Sequence, residues 1–192
     1  MTGMTTDTDA GHRREQGTLP QEVRAGSFRE PPPGTGTERE LLERWLDFHR
    51  TTLQAMCEGL DDDALRRASA PPSQLTLLGL VRHLTEVERH WFRGVFDEED
   101  TEPLYFTEEA PDDDFLVGEG DTGSGALAVW REEVARARKS AQSRSLEELG
   151  THPRRGTIVS LRWIYLHMIE EYARHNGHAD LLRERIDGTT GV

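Results

Sequence analysis

Near the C-terminal end of the chain, Glu171 and His175 stand four residues apart, with His167 four residues earlier and His178 three residues later. In an α-helix, positions four apart differ by about 40° in direction and about 6 Å in height. A carboxylate and an imidazole so placed converge on one point. They also belong to a regular seam, Leu161, Ile164, Met168, Glu171, His175, His178, Leu182, whose 3-4 spacing marks positions that face a partner helix. An unpaired carboxylate on such a seam is costly, because burial disfavours an isolated charge. Other imidazoles recur at inward positions: His83 and His90, seven residues apart beside Leu80 and Val87, and His49 on an earlier apolar stripe. Inward imidazoles with one carboxylate suit a divalent ion in the core of a helical bundle. The same residues also fit two plainer arrangements, a Glu–His ion pair and hydrogen-bonded core histidines.

Four helical segments are expected to position these groups. The first runs from about Thr37 to Gly59, with Thr37 as cap, Glu40 completing a capping box, and Leu42, Trp45, His49, Leu53 and Met56 at helical spacing. A short turn at Ala64 to Ala68 precedes Pro71-Pro72. The second helix is expected from Thr76 to Phe96, on the stripe Leu77, Leu80, Leu84, Val87, Trp91, Val95. The third spans about Ser124 to Ser143 on a thin face of Leu127, Trp130, Val134, Ala137 and Ala141, which leaves room for a homodimer contact. A short turn at Leu146 to Leu149 follows, and the fourth helix runs from its Ser160 cap to about Ile186. No period-two strand pattern stands out. The connection between the second and third helices, roughly 25 residues, exceeds what an antiparallel hairpin needs and suits a crossover.

Residues 1 to 37 are rich in Thr, Gly, Pro, Asp and Glu and read as a disordered tail, which leaves 38–192 for the bundle. The net charge of −13 is concentrated: twelve acidic residues and no Lys or Arg lie between Asp97 and Asp121. That segment reads as a solvated acidic loop. Its sign argues against nucleic acid and against anionic lipid as partners. No apolar run is long enough to span a bilayer and no signal-peptide core is evident, so a cytoplasmic setting is expected. The single cysteine, Cys57, fits a reducing compartment. It has no basic neighbour at helical spacing and reads as a small hydrophobe rather than a nucleophile.

The segments LTLLGLVRHLTEVERHWF and LRWIYLHMIEEYARHNGHADLLRERIDG resemble the DinB-like superfamily of four-helix metalloproteins. The closest likeness is to the mini-circle protein subgroup, related to mycothiol-dependent maleylpyruvate isomerase, and it extends over about residues 38 to 190. The resemblance implies an all-α DinB-like four-helix bundle with a long crossover between helices two and three. It also implies one metal held by a His of the second helix and an H-x-x-x-H pair on the last, whose first member is Glu in the mycothiol branch. By that pattern His83, Glu171 and His175 are the ligands. His49, His90, His167 and His178 fall outside the triad, and His178 with Asp180 is a candidate for orienting a ligand from behind. His12 and His152 fall in expected loops and receive no role.

Three protein ligands would leave a coordination position open, as in catalytic zinc sites. Zinc is the expected ion, although two His and one Glu also suit nickel, iron or manganese. A coordinated thiol loses its proton readily. The resemblance therefore implies a thiol co-substrate of the mycothiol type, a small electrophilic substrate, and S-transfer or isomerisation. Two rival expectations are a metal-dependent hydrolase using zinc-bound hydroxide, with Glu86 or His167 as base, and a non-catalytic protein, either a stress-related metal-binding bundle or a partner-binding module.

Overall fold

The computed structural model describes residues 31–190. The part of the expected N-terminal tail that covers residues 1–30 lies outside the described residues. Helix α1 (Glu38–Cys57) opens with the anticipated capping box, in which Thr37 Oγ1 accepts from Glu40 N–H and Glu40 Oε2 accepts from Thr37 N–H. A single turn, α2 (Asp62–Leu65), follows. Helix α3 (Leu77–Glu88) starts on the Thr76 cap, α4 (Gly123–Ala141) on Thr122, and α5 (Leu161–Asp187) on Ser160. Gly188, at φ 79°, ends α5 in the left-handed conformation. Helix α1 lies along α5 and α3 lies along α4, so the long helices form the expected bundle around one core. No helix among the described residues is long and apolar enough to cross a membrane.

Each seam delivers its apolar residues inward. Leu161, Ile164, Met168 and Leu182 of α5 meet Leu46, Leu53 and Met56 of α1 and Leu77, Leu80 and Leu84 of α3 in one cluster. Trp45 departs from its expected stripe and is exposed; Leu46 takes the buried position. Below the carbon core lies a polar one. Glu88 accepts from Arg50 Nε and Nη2, each at 2.7 Å, and from Tyr172 Oη at 2.8 Å, and Tyr172 Oη accepts from Trp130 Nε1 at 2.8 Å. One carboxylate thus ties together α1, α3, α4 and α5. Arg183 performs a smaller version of this task, donating from Nη1 to the carbonyls of Met56 and Glu58 and so satisfying the C-terminal end of α1.

Three features differ from the sequence reading. The second helix is α-wound only to Glu88 and continues as a π-helical segment, Arg89–Phe96. Wider winding of this kind is not encoded in the spacing of apolar residues. A two-stranded antiparallel hairpin, β1 (Leu149–Thr151) with β2 (Ile158–Ser160), stands where no strand was expected. Three-residue strands are too short to show alternation. The hairpin is seated by Gly150: a Cβ there would stand 2.4 Å from the Val95 carbonyl oxygen, so only glycine lets it lie against the π segment. Finally, the acidic crossover is not uniformly solvated. Glu86 Oε1 accepts from the Leu104 and Tyr105 amides, Arg82 pairs with Asp121, and a short 3₁₀ turn (Asp113–Phe115) packs on α3 at Gly79.

Candidate metal centre

Helix α3 brings His83 and α5 brings Glu171 and His175 to one place. Glu171 Oε1 lies 3.3 Å from His83 Nε2 and 3.2 Å from His175 Nε2. One donor atom from each of the three residues falls within 4.8 Å of the others. Glu171 and His175 are buried and His83 is nearly so. The seam spacing accounts for the pair on α5, whereas His83 arrives by tertiary packing.

The crossover supplies a residue that sequence reasoning missed. Asp114, only 5% exposed, accepts at Oδ2 from His83 Nδ1 at 2.8 Å. Its neighbour Phe115 stacks on the His83 ring at 4.2 Å and 18°. Both sit on the 3₁₀ turn that meets Gly79, where a Cβ would stand 2.4 Å from the Phe115 carbonyl oxygen. Nothing local distinguishes Asp114 among its acidic neighbours; the apolar Phe115-Leu116-Val117 that follows was the available sign that this stretch returns to the core.

This arrangement dictates a charge. With Nδ1–H donated to Asp114, a neutral His83 turns the lone pair of Nε2 toward a carboxylate oxygen. Two lone pairs at that separation repel unless a positive species sits between them, a proton or a metal ion. The protein alone answers with protons. Burial opposes a charged His83 ring, but its bonds to Asp114 and Glu171 prevail and raise its pKa above the ordinary imidazole value. Burial pushes His175 down despite Glu171. Hydrogen bonds from His175 and His83, against burial and with help from Arg174, hold the Glu171 carboxyl far below the usual range. Two Nε2 donors and a carboxylate oxygen on a common centre, with one imidazole oriented by a buried carboxylate, is also the donor chemistry of a divalent ion with an orienting outer partner. Asp114 Oδ1 is buried and without a hydrogen-bond partner, so His83 is the side chain this carboxylate engages. The residues therefore fit a metal.

The other histidines divide. His178 approaches His175, Nδ1 to Nδ1 at 3.4 Å. His49 accepts from Asn176 Nδ2 through its carbonyl at 3.0 Å and does not join the centre. His90 and His83 were expected on a common face, yet His90 lies in the π segment against Trp91 and His152. His167 stacks on Trp163 and offers a donor atom within 4.8 Å of Glu170 and Glu171. His152, assigned no role from sequence, accepts from the Arg154 and Arg155 amides at Nδ1 and so shapes the hairpin turn. Glu86, nominated as a base, already accepts two crossover amides. Cys57 is buried, and burial pushes its thiol up to about 12, which agrees with an unreactive side chain. A separate cavity of about 450 Å³, bounded by Asp47, Arg50, Phe92, Arg138 and Tyr165, contains none of the nominated ligands.

No curated protein matches the chain. A family model described as mycothiol-S-transferase matches residues 41–188, from the first buried stripe of α1 to the glycine that ends α5. The match contains His83, Asp114, Glu171 and His175, and with it the chain belongs to the mycothiol-S-transferase family, within the DinB-like superfamily.

Proposed function

We propose that this protein is a metal-dependent S-transferase that joins a low-molecular-weight thiol of the mycothiol type to a small electrophile. The observation that carries the reading is Glu171 Oε1 facing Nε2 of both His83 and His175, an arrangement that requires a positive charge at its centre. His83, Glu171 and His175 would hold the ion, with zinc the expected metal. A bound dication supplies Lewis acidity that lowers the pKa of a thiol brought to it.

The remaining work falls to the chain itself. Asp114 fixes the His83 ring through Nδ1, and Phe115 covers one face of that ring and keeps water from it. His167 sits on the rim with Nδ1 3.6 Å from Glu170 Oε2. It accepts the S–H proton. The sulfur electron pair then forms the S–C bond, and the leaving group departs with its own pair. Where the electrophile has no leaving group, the adduct reverts with its double bond rearranged, which is isomerisation. The hydrolase alternative loses Glu86 as its base.

The test is incubation of the purified protein with a thiol and a generic electrophile, with and without chelator, paired with elemental analysis of protein made without an affinity tag. Adduct formation that chelation abolishes is expected. His83→Ala, Glu171→Ala and His175→Ala lose metal, while His167→Ala keeps it and loses rate. Absence of metal-dependent adduct removes the transferase reading, and ester cleavage without thiol replaces it with hydrolysis.

A further inference from the structure

Beside the centre, at the edge of the core, lies a cluster of partly exposed rings. Trp163, on the first turn of α5, is 43% exposed, and Trp91 is partly exposed on the π segment. Their ring centroids are 5.1 Å apart at 53°. His167 stacks on Trp163 at 5.0 Å and 18° and meets Trp91 edge-on at 4.6 Å. Neither indole N–H has a hydrogen-bond partner among the described residues, unlike that of the buried Trp130. The cluster is contiguous with the centre, because His167 and Glu171 place donor atoms within 4.8 Å of each other.

Its far side is positive. The turn between β1 and β2 carries Arg154 and Arg155, whose amides His152 holds. The His152 ring meets His90 at 4.9 Å and Trp91 at 5.9 Å, which puts the turn against the rings. Burial, then the charges of His152, Arg154 and Arg155, push His90 down to about 4. Arg154 pairs with Glu108 at 3.0 Å, whereas Arg155 is exposed and has no acidic partner among the described residues. In a chain of net charge −13, an exposed guanidinium without an acidic partner, on a turn packed against partly exposed rings, is a recognition element for an anion. Ring faces and a cation suit a flat anion better than a polyol, which needs many hydrogen-bonding walls.

We propose that Trp91, Trp163, His167 and Arg155 form a binding site for a planar aromatic carboxylate, the electrophile of the reaction above. The proposal rests on that reading for the ligand's role and on the ring geometry for its shape. The indoles hold the flat body next to Glu171, and Arg155 takes the carboxylate.

Calorimetric titration of the full-length protein with 2-naphthoate, without thiol and with or without chelator, tests it. One site is expected in both states. Trp163→Ala weakens binding about tenfold, and Trp163→Phe restores most of it. Arg155→Ala weakens 2-naphthoate roughly two- to fivefold and leaves the neutral 2-naphthamide unchanged. Trp45→Ala, an exposed tryptophan on α1, changes nothing. The proposal is overturned if no binding is detected at millimolar ligand, if Trp163→Ala and Arg155→Ala bind as the wild type, or if cyclohexanecarboxylate binds as well as 2-naphthoate. Because no thiol is present, naphthoate binding with a negative transfer assay retires the transferase reading alone; the opposite pair of results retires this site alone.

Discussion

Replacing Glu88 with leucine exposes how much of the bundle hangs on one carboxylate. Its side chain is fully buried and accepts three bonds, two from the Arg50 guanidinium and one from Tyr172 Oη. The substitution leaves Arg50 charged and buried with only the partly exposed Asp47 at 3.1 Å as compensation, and strands the Tyr172 hydroxyl proton. Breaking a buried pair by removing one partner costs about 3–5 kcal/mol. For a domain of this size, each kcal/mol lowers Tm by about 2–4 °C, so a fall of roughly 6–20 °C is expected. Arg50→Met fails comparably by leaving the carboxylate uncompensated. The double variant Arg50→Met/Glu88→Leu removes both charges and recovers most of the loss, short of the roughly 1–3 kcal/mol for the unsatisfied tyrosine. Urea and thermal unfolding of all four proteins give the double-mutant cycle. If the two single losses simply add, or if Glu88→Leu costs under about 1 kcal/mol, the account of the polar core is wrong.

Asp114→Asn keeps a partner for His83 but withdraws its charge, and metal affinity falls about 10- to 100-fold by competition with a chromophoric chelator while thermal stability stays near wild type. Gly79→Ala reverses the usual sign of a helix-interior Gly→Ala change: the new Cβ meets the Phe115 carbonyl, so the protein loses about 1–3 kcal/mol in urea unfolding and binds metal more weakly. For His90 the pKa falls from 6.5 to about 4, so between those values the unfolded chain binds more protons and stability drops as pH is lowered. In His90→Phe the slope of Tm against pH from 6.5 to 4 is shallower; an unchanged slope assigns the acid sensitivity elsewhere.

The α5 seam was legible because a 3-4 spacing sustained over a whole helix admits one buried face, and polar residues on it demand a common partner. The caps at Thr37 and Ser160 were legible for a similar reason, since each is a local bond between residues three apart. What escaped was non-local. The carboxylate that orients His83 lies 31 residues from it, inside a run of like residues. The π winding and the β1–β2 hairpin depend on each other through Gly150, and neither leaves a periodic trace. His152 read as a loop residue, and Trp163 stands outside the α5 seam, yet folding sets both around Trp91.

The crossover is therefore two materials in one connector. Between Thr107 and Asp112 it is mostly exposed, and lengthening it there should be as harmless as in any surface loop. From Asp113 to Phe115 the tolerance ends, since a single inserted residue would rotate a carboxylate and a phenyl ring away from His83. Homologues and engineered versions of this protein can be expected to vary in length on one side of that boundary and to keep strict register on the other.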